Sequence, residues 1–174
     1  MEVLEAILSR RSIRKYTDRP IDDEALHKIL AAGMAGPTAV NARPWSFIVV
    51  RDKETLNRMA DANGRAAGLL REATLAILIC GDLERAFSRA PEYWVIDGAI
   101  AGQNMILAAQ GMGIGSVWLG TWPQEEKVAA QRALFGLPET QVPHSIIAFG
   151  YPAEDKSDQP HLDYEENRVH FEKW

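Results

Sequence analysis

Apolar residues along the chain recur in two spacings, and these spacings predict an alternation of helices and strands. Short apolar runs rich in β-branched residues are typical of strands. The run at 46–50 predicts a strand that is buried on both faces, and the run at 74–80 predicts a second strand. Two further strands are predicted at 116–119 and 145–149.

Apolar positions at helical spacing predict helices between these strands. The first helix begins close to the N-terminus with an apolar stripe at 3–8, and the second follows capping residues at 21–24 and ends near 33–36. Further helical segments are predicted at 53–63, 66–72, 91–110 and 124–135. With 174 residues, of which 47% are hydrophobic, the chain has the size of a single domain with a substantial core.

The segment at 91–110 is the longest helical candidate, and it is apolar around most of its circumference. A helix that is apolar on most sides is buried on most sides, which in so small a domain favours a central helix packed against a partner subunit. Its polar exceptions are Asp97, Gln103 and Asn104. We expect these three side chains to hydrogen-bond to neighbours inside the core, because buried polar groups are normally paired.

Glycines 111, 113 and 115 resemble part of a dinucleotide-binding motif, but their context is wrong. In that motif the glycines follow a strand and open a helix, whereas here they follow a helix and precede a strand. We interpret them as a helix cap and a turn. The strand at 116–119 then leads to Gly120 and Thr121, where the absence of a side chain at Gly120 lets the backbone approach a ligand closely.

Basic residues are concentrated in one short stretch. Five of the ten residues at 10–19 are Arg or Lys, although the whole chain has a formal net charge of −5. Arginine offers planar, bidentate donors that match phosphate oxygens, and Ser12 adds a hydroxyl donor, so the stretch is a candidate anion site. The alternative is a solvated helix end, since cations are favourable at a helix C-terminus. The residues of the stretch leave both interpretations open.

Several functional classes are disfavoured by what the sequence lacks. A single local basic cluster in an acidic chain argues against nucleic-acid binding, and no apolar run is long enough to cross a membrane. The acidic N-terminus enters a helix at once, so we expect a cytoplasmic protein without a signal peptide. Cys80, the only cysteine, is expected to be a buried thiol, and the four histidines are scattered singly along the sequence, which argues against a metal site. Any reaction would therefore depend on a bound cofactor.

Taken together, the motifs resemble the FMN-dependent nitroreductase family in its short, single-domain form. The resemblance extends over nearly the whole chain, and its motifs occur in the family's order. They are the basic stretch 10–16, the loop with Pro37, Thr38, Asn41, Pro44 and Trp45, the stretch 113–120 ending in Trp118-Leu119-Gly120, the turn Gly150-Tyr151-Pro152, and the tail sequence Asn167-Arg168-Val169-His170.

The resemblance implies an α+β fold with a mixed β-sheet flanked by helices, and a homodimer with two FMN sites at its interface. The long central helix would lie at that interface. The domain would span 1–174, with a C-terminal tail from about 152 that wraps around the partner subunit.

The resemblance also implies a set of cofactor-binding residues. Those matching the phosphate and ribityl ligands of FMN are Arg10, Arg11, Ser12 and Arg14. Thr38, Ala39 and Asn41 match the loop that meets the flavin from the opposite subunit. Gly120 and Thr121 match backbone amides near the flavin ring, and Arg168 matches a recurrent arginine that helps at the phosphate.

Two departures from the family pattern affect these expectations. His161 and Asp163 stand where many relatives have arginines before the tail tyrosine, so one phosphate ligand is missing. Arg43 replaces a common glutamine beside Pro44, which adds a positive charge near the pocket and bears on substrate preference.

The implied activity is reduction of nitroaromatics, quinones or similar small acceptors by NADPH or NADH, with ping-pong kinetics and without a catalytic side chain. Three alternatives remain open: a flavin-binding or redox-sensing dimer without turnover, a dimeric interaction protein that has lost flavin, and a relative that fragments flavin or dehalogenates its substrate.

Overall fold

The computed structural model describes residues 1–154 and 164–174. Its helices are α1 (Val3–Ser9), α2 (Asp23–Met34), α3 (Lys53–Asn63), α4 (Tyr93–Gly111) and α5 (Glu125–Phe135). Its strands are β1 (Trp45–Val50), β2 (Leu75–Asp82), β3 (Gly115–Gly120) and β4 (Gln141–Gly150). Short 3-10 helices occur at Ala39–Asn41, Arg65–Arg71 and Glu166–Arg168. The predicted elements are all present, and the piece predicted at 66–72 is the second of these 3-10 helices.

The four strands form one sheet in the order β1-β2-β4-β3, and every pair of neighbouring strands is antiparallel. Within residues 1–154 and 164–174, a parallel pairing occurs only as the isolated bridge between Ser12 and Ser116. The sheet expected to be mixed is therefore antiparallel apart from this bridge. The bridge nevertheless matters for the site, because it attaches the basic stretch to the edge strand β3.

The central strands β2 and β4 separate two apolar layers. Ile77 of β2 and Phe149 of β4 face α2 and α4, whereas Leu78 and Ile146 face the layer that contains α3. Successive side chains of a strand point to opposite faces, so strands covered on both faces are apolar throughout. The edge strand β1 is the exception: most of its residues are only half-buried, and the prediction that it is buried on both faces is wrong.

The long helix α4 packs against the sheet through an unusually close contact. A Cβ atom built on Gly102 would lie 2.2 Å from the Trp118 ring, so the glycine is required for the helix to lie this close to β3. The opposite side of α4 exposes Tyr93 and Ile96, and within one chain the helix is thus buried on one side only. An exposed apolar side of this kind is consistent with a partner subunit.

The polar residues of α4 have different environments. Asp97 is buried and accepts a hydrogen bond from the Ala39 amide, and Asn104 donates one to the Ala32 carbonyl, so the prediction is confirmed for both. The prediction is wrong for Gln103, whose side chain is exposed and makes no hydrogen bond to the described residues. It lies on the side of α4 that faces away from the core.

The glycines after α4 behave as a cap and a turn. The helix ends at Gly111, Gly113 has a φ of +72°, and β3 begins at Gly115. A left-handed backbone of this kind favours glycine and reverses the chain. Cys80 is fully buried in β2, and burial raises the pKa of its thiol to about 12, which confirms the interpretation as a buried thiol.

The C-terminal residues 164–174 are exposed and include the short 3-10 helix Glu166–Arg168. His161 and Asp163, the departures noted above, lie outside the described residues. Among the helices of the described chain, none combines the length and the apolar character that crossing a membrane requires.

Candidate cofactor site

The basic stretch leaves α1 and runs in an extended conformation along β3. The Ile13 amide donates a hydrogen bond of 2.9 Å to the Ser116 carbonyl, and the hydroxyl of the buried Tyr16 donates one of 2.6 Å to the Ile13 carbonyl. Ile13 is buried against Gly115, where a Cβ atom would clash with the isoleucine side chain. The backbone of the stretch is therefore held firmly between α1 and the sheet edge.

Because alternate residues of an extended segment face opposite sides, the stretch divides its side chains between two cavities. Arg10 and Ser12 line a cavity of about 310 Å³ together with Gln103, Ser116 and Trp118. Arg11 and Ile13 line a different cavity of about 530 Å³. The four residues predicted to act together are thus not on one side of the chain.

The side chains of Arg10 and Ser12 are uncommitted. Neither the guanidinium of Arg10 nor the hydroxyl of Ser12 donates a hydrogen bond to another described residue. A cation and a hydroxyl donor that converge on one cavity suit a phosphate group, which offers only acceptors at its ionised oxygens. The donor chemistry of Arg10 and Ser12 therefore fits the phosphate of FMN, and their role as its ligands stays a prediction.

Arg11 and Arg14 direct donors to the backbone. At the end of α1, Arg11 Nη1 donates hydrogen bonds of 3.0 Å to the carbonyls of Leu8 and Arg10. The exposed Arg14 donates to the Ser12 carbonyl at 3.4 Å. The helix-end interpretation of the basic stretch thus describes Arg11, whereas the anion-site interpretation stays a prediction for Arg10 and Ser12.

The loop with Thr38, Ala39 and Asn41 has a strained backbone that is held by its own polar groups. Val40, Asn41 and Arg43 all have positive φ, at 47°, 57° and 52°, and such a value is unfavourable for a β-branched residue such as Val40. The Thr38 hydroxyl accepts a hydrogen bond from the Arg43 amide, and the Asn41 side-chain oxygen accepts one from Arg43 Nε, both at 3.0 Å.

This loop does not line the Arg10 cavity. Thr38 and Ala39 instead border a third, mainly apolar cavity of about 360 Å³, together with Tyr93, Ile96 and Asp97 of α4. Arg168 is also separate from the Arg10 cavity: it is exposed in the C-terminal segment and forms an ion pair with Glu165. Within one chain, the predicted loop and tail ligands are therefore not assembled around Arg10 and Ser12.

At the far end of β3, the turn Gly120–Thr121 is held by Asn63, a residue that the sequence did not single out. The buried Thr121 hydroxyl donates a hydrogen bond of 2.9 Å to Asn63 Oδ1, and Asn63 Nδ2 donates one of 3.2 Å to the Gly120 carbonyl. Asn63 is the last residue of α3, so the only sequence signal was a polar residue before a glycine at a helix end. The turn is rigid, with Gly120 exposed at its surface.

His144 supports the same turn from β4. Its carbonyl accepts hydrogen bonds from the Thr121 and Trp122 amides, at 3.3 and 2.9 Å. Its ring is buried edge-on between Trp94 and Trp118, and burial lowers the pKa of the imidazole to about 4. His144 is therefore neutral at physiological pH and acts as part of the packing.

Comparisons with known proteins show that the chain is similar to the nitroreductases. The model of the nitroreductase family matches residues 7–67 and 62–151. A protein of Methanothermobacter thermautotrophicus, provisionally named NADH dehydrogenase/NAD(P)H nitroreductase, is 45% identical over 174 residues, which are 100% of this chain and 88% of that protein.

Two solved structures extend the comparison to the fold. A provisionally named NADH dehydrogenase/NAD(P)H nitroreductase of Parabacteroides distasonis has a TM-score of 0.91 and 38% identity, covering 99% of this chain and 98% of that one. An FMN-dependent nitroreductase of Clostridium difficile has a TM-score of 0.87 and 31% identity, covering 98% of this chain and 99% of that one. The nitroreductase-like α+β fold expected from the sequence is confirmed.

Proposed function

Because the chain belongs to the nitroreductase family, we propose that it is an NAD(P)H-dependent oxidoreductase with FMN as its bound cofactor. The structural observation that supports this most directly is the cavity with the uncommitted side chains of Arg10 and Ser12. It offers a phosphate group a cation and a hydroxyl donor beside the edge strand β3. The FMN-dependent nitroreductase of C. difficile, which shares the fold, supports the choice of cofactor.

In this proposal Arg10 and Ser12 bind the FMN phosphate directly. Arg11, which lines a different cavity, and the exposed Arg14 do not border this one; they add positive charge around it, and Arg168 would join it from the tail. The strand β3 then leads from the phosphate to the turn Gly120–Thr121, where the exposed Gly120 backbone would approach the flavin ring. The expectation that the Thr121 amide also does so is wrong, because this amide donates a hydrogen bond to the His144 carbonyl. Hydrogen bonds from Asn63 and the His144 carbonyl keep that turn in place.

The site requires a second copy of the chain. Thr38, Ala39 and Asn41 do not line the Arg10 cavity of their own chain, and they lie beside the side of α4 that exposes Tyr93 and Ile96. A homodimer that buries this side of α4 would bring the loop of one subunit to the flavin of the other. Burial of the exposed apolar side chains would supply the driving force for association.

When bound, FMN would supply the two-electron chemistry between NADPH or NADH and an acceptor such as a nitroaromatic or a quinone. Arg10 and Ser12 would hold the cofactor by its phosphate, and the Gly120 backbone would offer a donor near the ring. Fixed donors of this kind stabilise negative charge that develops during reduction. Donor and acceptor use the same open position in turn, which gives ping-pong kinetics, and no side chain of the protein acts as acid or base.

The test is an absorbance spectrum of the purified protein, followed by anaerobic addition of NADPH or NADH. We expect a yellow protein that bleaches and regains its colour when a quinone or a nitroaromatic is added. A yellow protein that neither donor bleaches would instead be a flavin-binding dimer without turnover. A colourless protein that does not bind added FMN would contradict the proposed cofactor.

A further inference from the structure

Gln103 stands apart among the residues of α4. The sequence predicts that it pairs inside the core, yet its side chain is exposed and makes no hydrogen bond to a described residue. It lines the cavity that also contains Arg10 and Ser12. Three polar side chains that make no hydrogen bond to a described residue, from two segments far apart in sequence, therefore converge on one space.

The three side chains differ in the ligand groups that they can bind. The guanidinium of Arg10 only donates hydrogen bonds and carries a positive charge, which suits the ionised oxygens of a phosphate. The side-chain amide of Gln103 both donates and accepts and is neutral. A hydroxyl group of a polyol also donates and accepts, so the amide is matched to a hydroxyl rather than to a phosphate.

The size and lining of the cavity are consistent with a segment of a ligand. Its volume of about 310 Å³ is near the lower end of the roughly 300–1,000 Å³ typical of ligand pockets, so it suits part of a flavin nucleotide. Ser116 and the apolar residues Ile106, Val117 and Trp118 complete the wall. The apolar residues give the carbon chain of a polyol a surface to lie against, next to the amide.

We propose that Gln103 is a cofactor-binding residue that hydrogen-bonds to the ribityl chain of the flavin, while Arg10 and Ser12 bind its phosphate. This assignment rests on the proposed function, since it requires that the cavity binds FMN. The assignment predicts a binding pattern for Gln103 that differs from the pattern expected for the phosphate ligands Arg10 and Ser12. Gln103 contributes equally to the binding of FMN and of riboflavin, which has the same ribityl chain but no phosphate.

The experiment measures the dissociation constants of FMN and riboflavin for the flavin-free dimer, by flavin fluorescence titration. The variant Gln103→Leu has a similar size but cannot form hydrogen bonds. We expect it to weaken both ligands by the same factor, about fivefold to tenfold, as for the loss of one or two neutral hydrogen bonds. Arg10→Ala is expected to weaken FMN by at least tenfold and to change riboflavin by less than twofold.

Gln110→Leu is the matched control, because it makes the same substitution in the same helix. Gln110 borders the other cavity and donates a hydrogen bond to Ser9, so its variant should bind both flavins as the wild type does. A second variant, Gln103→Glu, retains the size of the side chain and adds a negative charge near the phosphate. It should weaken FMN more than riboflavin.

Two results would overturn the assignment of Gln103. If Gln103→Leu binds both flavins as tightly as the wild type, the side chain does not contact the cofactor. If it weakens FMN alone, the side chain belongs to the phosphate site. A wild-type protein that binds neither flavin would instead refute the proposed function, so the two failures are distinguishable. Thermal unfolding of each flavin-free variant verifies that the compared proteins are folded.

Discussion

The Asp97 side chain in α4 accepts a hydrogen bond of 3.0 Å from the Ala39 amide, across 58 positions of sequence. It therefore connects the central helix to the loop that we assign to the partner's flavin. Asp97 is only 3% exposed, and burial raises the pKa of its carboxyl group, although the Ala39 bond opposes that shift. The strained φ values of Val40 and Asn41 follow directly after this contact.

Removing this acceptor should destabilise the loop. We expect Asp97→Leu to lower the free energy of unfolding by about 1–3 kcal/mol, the cost of an unsatisfied polar group, and to accelerate hydrogen exchange at the Ala39 amide. Asp97→Asn keeps a side-chain oxygen that can accept the same bond and should remain within about 1 kcal/mol of the wild type. Urea unfolding and amide exchange measure both effects. Equal exchange rates at Ala39 in the two variants would show that the bond does not hold the loop.

His144 should make stability depend on pH in the mildly acidic range. Its pKa of about 4 in the folded protein lies below the value of about 6.5 in an unfolded chain, so the unfolded state binds the proton more readily. The stabilising contribution is complete above pH 6.5 and is lost as the pH falls toward 4. Between pH 7.5 and pH 5 this loss amounts to about 2 kcal/mol.

The measurement compares urea unfolding of the wild type and His144→Gln at pH 7.5 and pH 5. The variant should lose less stability than the wild type over this interval, because glutamine does not titrate. Asp97 acts in the opposite direction, since its raised pKa makes the folded state bind the proton more readily, but it is present in both proteins and cancels in the comparison. An identical loss in both proteins would mean that His144 is not responsible for it.

The phosphate site is tested by Arg10→Ala and Ser12→Ala. Each should weaken FMN binding while leaving the fold and the oligomeric state unchanged, because neither side chain makes a hydrogen bond within the described chain. Loss of a charge-assisted hydrogen bond predicts at least a tenfold effect for Arg10→Ala and a smaller one for Ser12→Ala. Arg58→Ala, at an exposed position of α3, is the control for the loss of one positive charge and should bind FMN as the wild type does. Wild-type binding in both variants would place the phosphate elsewhere.

The close approach of α4 to β3 is tested at Gly102. A methyl group there would lie 2.2 Å from the Trp118 ring, so Gly102→Ala should reduce the free energy of unfolding by about 1–3 kcal/mol and displace a wall of the Arg10 cavity. Gly111→Ala at the end of the same helix meets no atom within 4 Å, so it should be neutral or slightly stabilising. The unfolding temperatures of the two variants, measured with and without FMN, test this difference. Equal effects of the two substitutions would contradict the packing argument.

The periodicity of apolar residues was sufficient to predict the helices and strands to within a few positions. Helical and strand spacings are local properties, and in this chain local preference and tertiary structure agree. The motifs also carried the family resemblance, so the fold class and the cofactor could be expected before the structure was considered. The interpretation of glycines 111, 113 and 115 as a cap followed from their local context in the same way.

The tertiary structure decided how the polar residues are distributed. The separation of Arg10 and Ser12 from Arg11 depends on the pairing of Ser12 with Ser116, which lies more than a hundred residues away. The exposure of Gln103, the partial burial of β1 and the support of Gly120–Thr121 by Asn63 likewise depend on which elements become neighbours. Apolar spacing shows which face of an element is buried, but contacts between distant segments determine what each polar side chain meets.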